Sequence, residues 1–293
     1  MGRCINMYPA KFEYKRPKTL DETLTLMSDN KEAKIIAGGQ SLLPILKLRL
    51  FEPDTLIDIG FIPELKQIKM ESAHTLKIGA MVRHHEILED SVVRSNVPLL
   101  SSTAENIADV QIRNRGTIGG SICEADPAAD YLPSLFVLEA KVHLRTLHSE
   151  RYVNIEEFIK GPFETALKEE EMLVGVEIEK NNENFIVEKY ARRKADFAVA
   201  SVAALAKLKS DGSVEFIRIA TGATSEGPKR LRELEKSITG KHPNDLDLGA
   251  IIDNSISQIE MISDLHGSSE YRKYVLRGML MRIITNLTSE KRA

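Results

Sequence analysis

The sequence predicts an α+β fold in which a domain of two subdomains precedes a smaller α+β domain with an antiparallel sheet and helices. A short strand at residues 34–37 runs into a Gly-Gly turn, an apolar helix and a second strand at residues 55–59, which is typical of an α/β unit. The dipeptide Asp211-Gly212 between two apolar strands is a strong hairpin signal. Residues 271–287 carry an apolar stripe typical of a helix packed on a sheet.

Residues 1–60 form the first predicted subdomain. Thr19 is predicted to cap a helix, with Glu22 as its capping-box partner. Another helix is expected over residues 41–50, with Pro44 in its first turn. Its N-terminus would add positive potential at the preceding glycine turn, which suits a phosphate group.

Residues 61–180 form the second predicted subdomain. Alternating apolar residues predict strands near residues 76–80, 142–144 and 174–178. Helices are expected at residues 82–89 and 99–107, a loop at 117–130 and a short apolar segment at 132–139.

A polar, turn-rich segment at residues 179–184 predicts a boundary, so the C-terminal domain is placed at residues 185–293. Strands are expected at residues 186–190, 198–209 and 214–221. Two helices should follow, near residues 246–262 and at 271–287.

Composition excludes several classes of protein. The 40 basic and 43 acidic residues of this 293-residue chain give a net charge of −3, which argues against nucleic acid as the main partner. No apolar run is long enough to span a membrane, and the N-terminus lacks the apolar core of a signal peptide. The chain is therefore expected to be cytoplasmic.

Few residues suggest a metal site. Two cysteines, Cys4 and Cys123, cannot hold a structural metal or a [2Fe–2S] cluster. Cys123 is either a redox thiol or, the interpretation favoured here, a small buried apolar residue. His84 and His85 are adjacent on a predicted helix and so face different ways, which disfavours a metal site.

Two Gly-Gly segments are the candidate ligand-binding motifs. The first is Ala37-Gly38-Gly39-Gln40-Ser41, and the second is Thr117-Ile118-Gly119-Gly120-Ser121. Because glycine lacks a Cβ, backbone N–H groups in such turns can approach a phosphate closely. Neither matches a P-loop or a Rossmann glycine motif, and either alone could be an ordinary tight turn.

The sequence around these segments resembles that of a known family. Residues 36–44 (IAGGQSLLP) and 111–121 (QIRNRGTIGGS), with 125–130 (ADPAAD), resemble the two FAD-binding loops of the flavin subunits of molybdenum hydroxylases. This family includes the medium subunit of carbon monoxide dehydrogenase and the flavin subunit of xanthine dehydrogenase. The resemblance continues through residues 189–198 and 269–273 and so covers nearly the whole chain.

The resemblance implies a fold and a set of FAD contacts. The fold would be a two-subdomain FAD-binding domain of the PCMH, or vanillyl-alcohol-oxidase-like, type. The implied FAD-binding residues are Ala37, Gly38, Gly39, Gln40, Ser41, Leu42, Thr117, Ile118, Gly119, Gly120, Ser121, Asp130, Leu173, Lys189 and Tyr190. No catalytic and no metal-binding residue is implied.

The resemblance also assigns roles within this set. The first segment would bind the pyrophosphate through backbone amides, and Thr117 and Ser121 would donate hydroxyl bonds to phosphate oxygens. Asp130 would accept bonds from ribityl hydroxyls. Lys189 would offset negative charge on the flavin, and Tyr190 would lie beside the isoalloxazine.

Each role has a plainer alternative. Gln40 could be a solvated turn residue, Asp130 a helix N-cap, Lys189 a solvated strand lysine and Tyr190 a core tyrosine. Arg113 and Arg115 could bind phosphate or pair with acids. Tyr131 stands where the family commonly has an aliphatic residue, which puts the contacts just past Asp130 in doubt. If the glycines face the ligand, Gly39→Val or Gly119→Val should abolish FAD binding while the fold survives.

The implied function is electron transfer within an oxidoreductase complex. This chain would hold FAD, while a large subunit would hold molybdopterin and a small subunit the [2Fe–2S] clusters. Electrons would pass from those clusters through FAD to an external acceptor. The alternatives are a standalone FAD- or nucleotide-binding module without turnover, and an independent flavin oxidase.

Overall fold

A parallel three-stranded sheet forms the first unit of the computed structural model, which describes residues 7–289. Its elements are β1 (Glu13–Lys15), α1 (Leu20–Asp29), β2 (Lys34–Ile36), α2 (Leu42–Lys47) and β3 (Thr55–Asp58). The strand order is β1-β3-β2, and both pairs are parallel. The predicted α/β unit is therefore confirmed, with the Gly-Gly turn between β2 and α2.

Two local details of this unit differ from expectation. Thr19 caps α1 by accepting the Glu22 N–H at 3.2 Å, but the Glu22 carboxylate accepts from Lys18 N–H rather than from Thr19. The return bond of the predicted capping box therefore goes one residue earlier. Helix α2 ends three residues before residue 50, because Arg49 adopts a left-handed φ of 54° that a helix cannot contain.

An antiparallel five-stranded sheet covered by short helices forms the second unit. Its elements are a 3₁₀ turn (Pro63–Lys66), β4 (Ile68–Met70), β5 (Thr75–Gly79), α3 (His84–Glu89), α4 (Ser91–Asn96), α5 (Pro98–Glu105), α6 (Val110–Arg113), α7 (Ile118–Glu124), α8 (Tyr131–Val137), β6 (Lys141–Arg145), β7 (Glu150–Asn154), α9 (Ile155–Phe158), β8 (Ile159–Gly161), β9 (Glu164–Thr165) and β10 (Met172–Glu179). The sheet order is β4-β5-β10-β6-β7, and β8 and β9 form a separate hairpin.

The expected loop at residues 117–130 is wrong. Its first half is helix α7, because the Thr117 hydroxyl accepts the Gly120 N–H at 3.1 Å and caps a helix despite the two glycines. Ala125, with a left-handed φ of 50°, ends that helix. Helices α4 and α6 and strand β7 were not predicted, since elements of four to six residues are too short for their periodicity to stand out in the sequence.

The third unit is an antiparallel sheet with helices on one face. Its elements are β11 (Asn184–Tyr190), β12 (Ala200–Leu208), β13 (Val214–Gly222), β14 (Lys229–Arg230), α10 (Arg232–Ile238), a 3₁₀ turn (Pro243–Asp245), α11 (Leu248–Ser257) and α12 (Ser269–Thr288). The strand order is β11-β12-β13-β14. The hairpin at Asp211-Gly212 is confirmed, whereas α10 was not predicted and α11 is shorter than expected.

This third sheet is apolar on both faces. One face packs against the second unit, and this contact brings the two units together at the candidate site. Residues such as Ala203, Leu205 and Ala220 point to the helices of the second unit and share its core with Leu135 of α8. The alternate residues of the same strands pack instead with α12. The α+β fold is thus confirmed, while the domain limits 1–60, 61–180 and 185–293 stay a prediction.

Candidate functional site

The two Gly-Gly segments meet in space. A Cβ placed on Gly38 would lie 2.3 Å from the carbonyl oxygen of Arg115 and 2.8 Å from the Cα of Gly116. One placed on Gly120 would lie 3.8 Å from the Cβ of Ala37. Glycine is therefore required at position 38 because the backbones of the two segments touch there.

The first segment leaves its backbone donors free. The N–H groups of Gly38, Gly39, Gln40 and Ser41 have no acceptor within residues 7–289. Gly39 has a φ of 72°, and the exposed Gln40 side chain donates to the Gly38 carbonyl at 3.0 Å. Consecutive free amides in such a turn form a concavity that suits an anion. Leu42 follows as the first residue of α2.

Four of the five backbone donors of the second segment, those of residues 118–121, already have acceptors within the protein, unlike those of the first segment. The Ile118 N–H donates to the Val82 carbonyl at 3.1 Å, and the Gly119 N–H donates to the Ala80 carbonyl at 3.0 Å. The Thr117 N–H and two hydroxyl groups, those of the buried Thr117 and the half-buried Ser121, remain as its donors.

The Cβ direction of Gly119 points into the protein. A Cβ at this position would lie 2.6 Å from the Cβ of Ala80 and 2.7 Å from its carbonyl oxygen. Gly119→Val would therefore strain the fold itself, and the expectation that the fold survives this change is wrong. The same expectation for Gly39→Val is unsafe, because valine at a φ of 72° is strained whatever space surrounds it.

A buried ion pair joins the second and third units. Lys189 Nζ of β11 lies 3.0 Å from Asp130 Oδ2 and also donates to the Asn106 carbonyl at 3.1 Å. The two side chains are only 7% and 11% exposed. Lys189 is therefore not a solvated strand lysine, and the side chain of Asp130 makes no cap bond to α8.

Asp130 keeps one oxygen available. Its Oδ1 atom is buried and has no hydrogen-bond partner in the part of the chain that the structure describes. Burial raises the pKa of this carboxyl to about 6, and the neighbouring Lys189 ammonium opposes that rise. A buried acceptor without a partner is costly unless a ligand or water donates to it.

The loop before Asp130 is held rigidly. Asp126 Oδ1 accepts the Ala128 N–H at 2.8 Å, as expected of a turn residue before proline. The carbonyl of Pro127 accepts the Ala223 N–H at 2.7 Å, which ties the loop to the end of β13. The position of Asp130 is thus fixed from both units.

Lys189 and Tyr190, the two predicted FAD contacts on β11, point to opposite sides of the strand. Lys189 points toward Asp130, whereas Tyr190 points toward α12 and shares a 2.9 Å hydroxyl–hydroxyl bond with Tyr271. Tyr190 is 43% exposed, so it is not a core tyrosine. Leu173 is buried in the core around β10.

Ser201 was missed by sequence reasoning. It lies directly opposite Lys189 in the pairing of β11 with β12, it is buried, and its hydroxyl has no partner among residues 7–289. A signal for it existed, because Ser201 is the one hydroxyl residue of a strand whose other residues are apolar except Lys207, and it lies two residues from the core residue Ala203.

The core beneath the second Gly-Gly segment contains His84 and Tyr131. Their ring centroids are 5.3 Å apart, and burial lowers the pKa of His84 to about 4, so the imidazole is neutral. Tyr131 is fully buried there. Within the described residues no group of three or more His, Cys, Asp or Glu side chains could hold a metal ion.

Two more residues, Arg113 and Cys123, have structural roles. Arg113 donates to the carbonyls of Ile107 and Ala108, so its guanidinium supports the backbone instead of facing a phosphate. Burial raises the pKa of the Cys123 thiol to about 12, which keeps it protonated and unreactive at neutral pH.

Cys4 lies outside the described residues, and no helix within 7–289 is both long and apolar enough to cross a bilayer.

Comparison with known proteins gives consistent matches over nearly the whole chain. Residues 10–179 match the model of the FAD binding domain in molybdopterin dehydrogenase, and residues 186–287 match the CO dehydrogenase flavoprotein C-terminal domain. The glyceraldehyde dehydrogenase medium chain of Sulfolobus acidocaldarius is 39% identical over 94% of this chain and 98% of its own.

Solved structures agree with these matches. Carbon monoxide dehydrogenase from Hydrogenophaga pseudoflava, in a form that lacks the Mo-pyranopterin moiety, superposes with a TM-score of 0.91 at 35% identity and covers 95% of this chain and 98% of its own. Quinoline 2-oxidoreductase from Pseudomonas putida 86 gives a TM-score of 0.92 at 33% identity over 96% and 98% of the two chains.

Proposed function

The chain belongs to the family of FAD-binding medium subunits of molybdenum hydroxylases, and from this premise we propose that it is the electron-transfer subunit of such an oxidoreductase complex. The observation that carries the proposal is a set of polar groups without partners in the described residues, each suited to a different part of FAD. They are the four amides of residues 38–41 and the buried Oδ1 of Asp130.

The residues present fit FAD. The amides of residues 38–41 would bind the pyrophosphate, with the hydroxyls of Thr117 and Ser121 as further donors. Asp130 Oδ1 would accept a hydrogen bond from a ribityl hydroxyl. A carboxylate is a good partner for a hydroxyl donor but a poor partner for a phosphate. When bound, FAD supplies the redox chemistry, taking electrons from the partner's clusters and passing them to an external acceptor.

The protein's own contribution is position and charge. Lys189 neutralises Asp130 and supplies positive charge beside the bound ligand. The ion pair also joins β11 to the loop before α8, so the site includes both units. Contact of Leu173 and Tyr190 with the flavin stays a prediction, since Tyr190 faces away from Lys189.

Partner subunits supply what this chain lacks. Its two cysteines are too few for a [2Fe–2S] cluster, which needs four thiolates or a histidine-substituted set. We propose a large molybdopterin subunit, a small iron–sulfur subunit and a cytoplasmic location. A standalone binding module or an independent oxidase would instead need no such partners.

The test is the visible flavin absorbance after substrate is added. Glyceraldehyde, carbon monoxide and quinoline are the first probes, because they appear in the names of the relatives. We expect bleaching only when the large and small subunits are present, and recovery when an electron acceptor is added. Bleaching of the isolated FAD-loaded chain would favour the independent oxidase.

The pKa of Asp130 predicts opposite pH effects on binding and on stability. Below about pH 6 the carboxyl is protonated and loses acceptor capacity, so FAD affinity should fall by up to about tenfold per pH unit. Because this pKa is above the ordinary value of 3.8, the ligand-free fold should gain stability from this group as pH falls from 6 toward 4.

Titration of FAD into wild type and Asp130→Asn, with melting curves at each pH, measures both effects. Identical pH profiles for the two proteins would contradict the assignment.

A further inference from the structure

The hydroxyl of Ser201 is a buried polar group that the proposed FAD contacts do not explain. Ser201 is 5% exposed, and its Oγ atom has no hydrogen-bond partner within the described residues. Its backbone carbonyl accepts from the Thr221 hydroxyl at 3.0 Å, but the side chain remains unpaired. A serine in this state is stabilised only if a ligand or a water pairs with it.

Ser201 lies in a row of residues that faces the start of α8. In the pairing of β11, β12 and β13 it stands between Lys189 and Gly222. A Cβ on Gly222 would lie 2.6 Å from Ser201 Oγ and 2.9 Å from the Pro133 side chain. The glycine therefore leaves the space that the Ser201 hydroxyl and Pro133 fill.

The residues that carry both unpaired atoms line one small pocket. Asp130, Lys189 and Ser201 line it together with Thr103, Ser134 and Asn106. The hydroxyls of Thr103 and Ser134 already pair with each other at 2.6 Å. Asp130 Oδ1, which only accepts, and Ser201 Oγ, which can donate and accept, are the two buried side-chain atoms of these residues that lack a partner among residues 7–289.

We propose that Ser201 is a further FAD-binding residue whose hydroxyl pairs with the ribityl chain beside Asp130. A polyol carries neighbouring hydroxyls that each donate and accept, so it can pair with a carboxylate oxygen and a serine hydroxyl together. A phosphate would be repelled by Asp130, and an apolar ring edge would leave both atoms unpaired. The inference rests on the proposed function, because it takes FAD as the ligand of this site.

The experiment compares Ser201→Ala with wild type for two ligands, FAD and ADP, by calorimetric titration. ADP carries the pyrophosphate but no ribityl chain. We expect FAD affinity to fall about 3- to 10-fold and ADP affinity to stay unchanged. The melting temperature should stay level or rise, because the variant removes an unpaired buried hydroxyl.

Ser101→Ala is the matched control. Ser101 is also a buried serine, but its hydroxyl donates to the Leu88 carbonyl at 3.0 Å, away from the pocket. Its loss should lower the melting temperature and leave both affinities unchanged. Ser201→Cys, which keeps the shape but weakens the donor, should lie between wild type and Ser201→Ala in FAD affinity.

The outcomes separate this inference from the proposed function. Unchanged FAD affinity in Ser201→Ala, or equal weakening of FAD and ADP, overturns the role of Ser201. If Asp130→Asn weakens FAD binding in the same assay, the flavin site stands and only the Ser201 contact fails. If neither variant affects FAD binding, the site assignment itself is wrong.

Discussion

Replacing Gly38 by alanine is expected to weaken FAD binding strongly. The added Cβ would lie 2.3 Å from the Arg115 carbonyl oxygen, which is backbone and cannot rotate away. The two Gly-Gly segments must then separate, and the four free amides lose their arrangement. Overpacking of this kind costs about 1–3 kcal/mol, so we expect an affinity loss of up to roughly 100-fold, measured by flavin fluorescence titration of the ligand-free protein.

Gly278→Ala is the control for this substitution. Gly278 lies in α12, and a Cβ there would meet nothing within 4 Å. Alanine at this position should preserve FAD binding and slightly raise stability, because it is the better helix former. Wild-type flavin affinity in Gly38→Ala would show that the contact between the two segments is not part of the FAD site.

Replacing Asp130 by alanine is expected to reduce both stability and FAD binding. The change leaves Lys189 buried without its partner, which typically costs about 3–5 kcal/mol. It also removes the carboxylate proposed to accept the ribityl hydroxyl. Chemical denaturation and FAD titration of the same protein measure the two effects.

A double variant separates these effects. In Asp130→Leu with Lys189→Met both charges are absent, and replacing a buried ion pair by apolar side chains is often neutral for stability. We therefore expect the double variant to recover most of the stability but none of the FAD affinity. Recovery of both would mean that Asp130 acts only through the fold, and failure of both to recover would point to a wider structural role.

Local patterns predicted the elements that depend on near neighbours. The hairpin at Asp211-Gly212 and the strand before Gly38 were identified because turn residues and alternation act over a few positions. Helix α7 was taken for a loop, because the sequence does not show that Thr117 would cap it across two glycines.

The candidate site was predicted in part. Resemblance gave Asp130 and Lys189, but their pairing joins residues 59 positions apart, which no local pattern shows. Gly119 was expected to be small for the sake of a ligand, but the packing of Ala80 against it already requires glycine there, which no local pattern shows. The opposite directions of Lys189 and Tyr190 could have been foreseen from the period of a strand.

The content of flavin in the gently purified complex tests the central claim most directly. Acid release followed by chromatography identifies the flavin, and its amount is compared with the amount of this chain. We predict one FAD per copy of the chain in wild type and a clearly lower FAD content in Gly38→Ala. Finding FMN in place of FAD, or no flavin in the wild-type complex, would contradict the account.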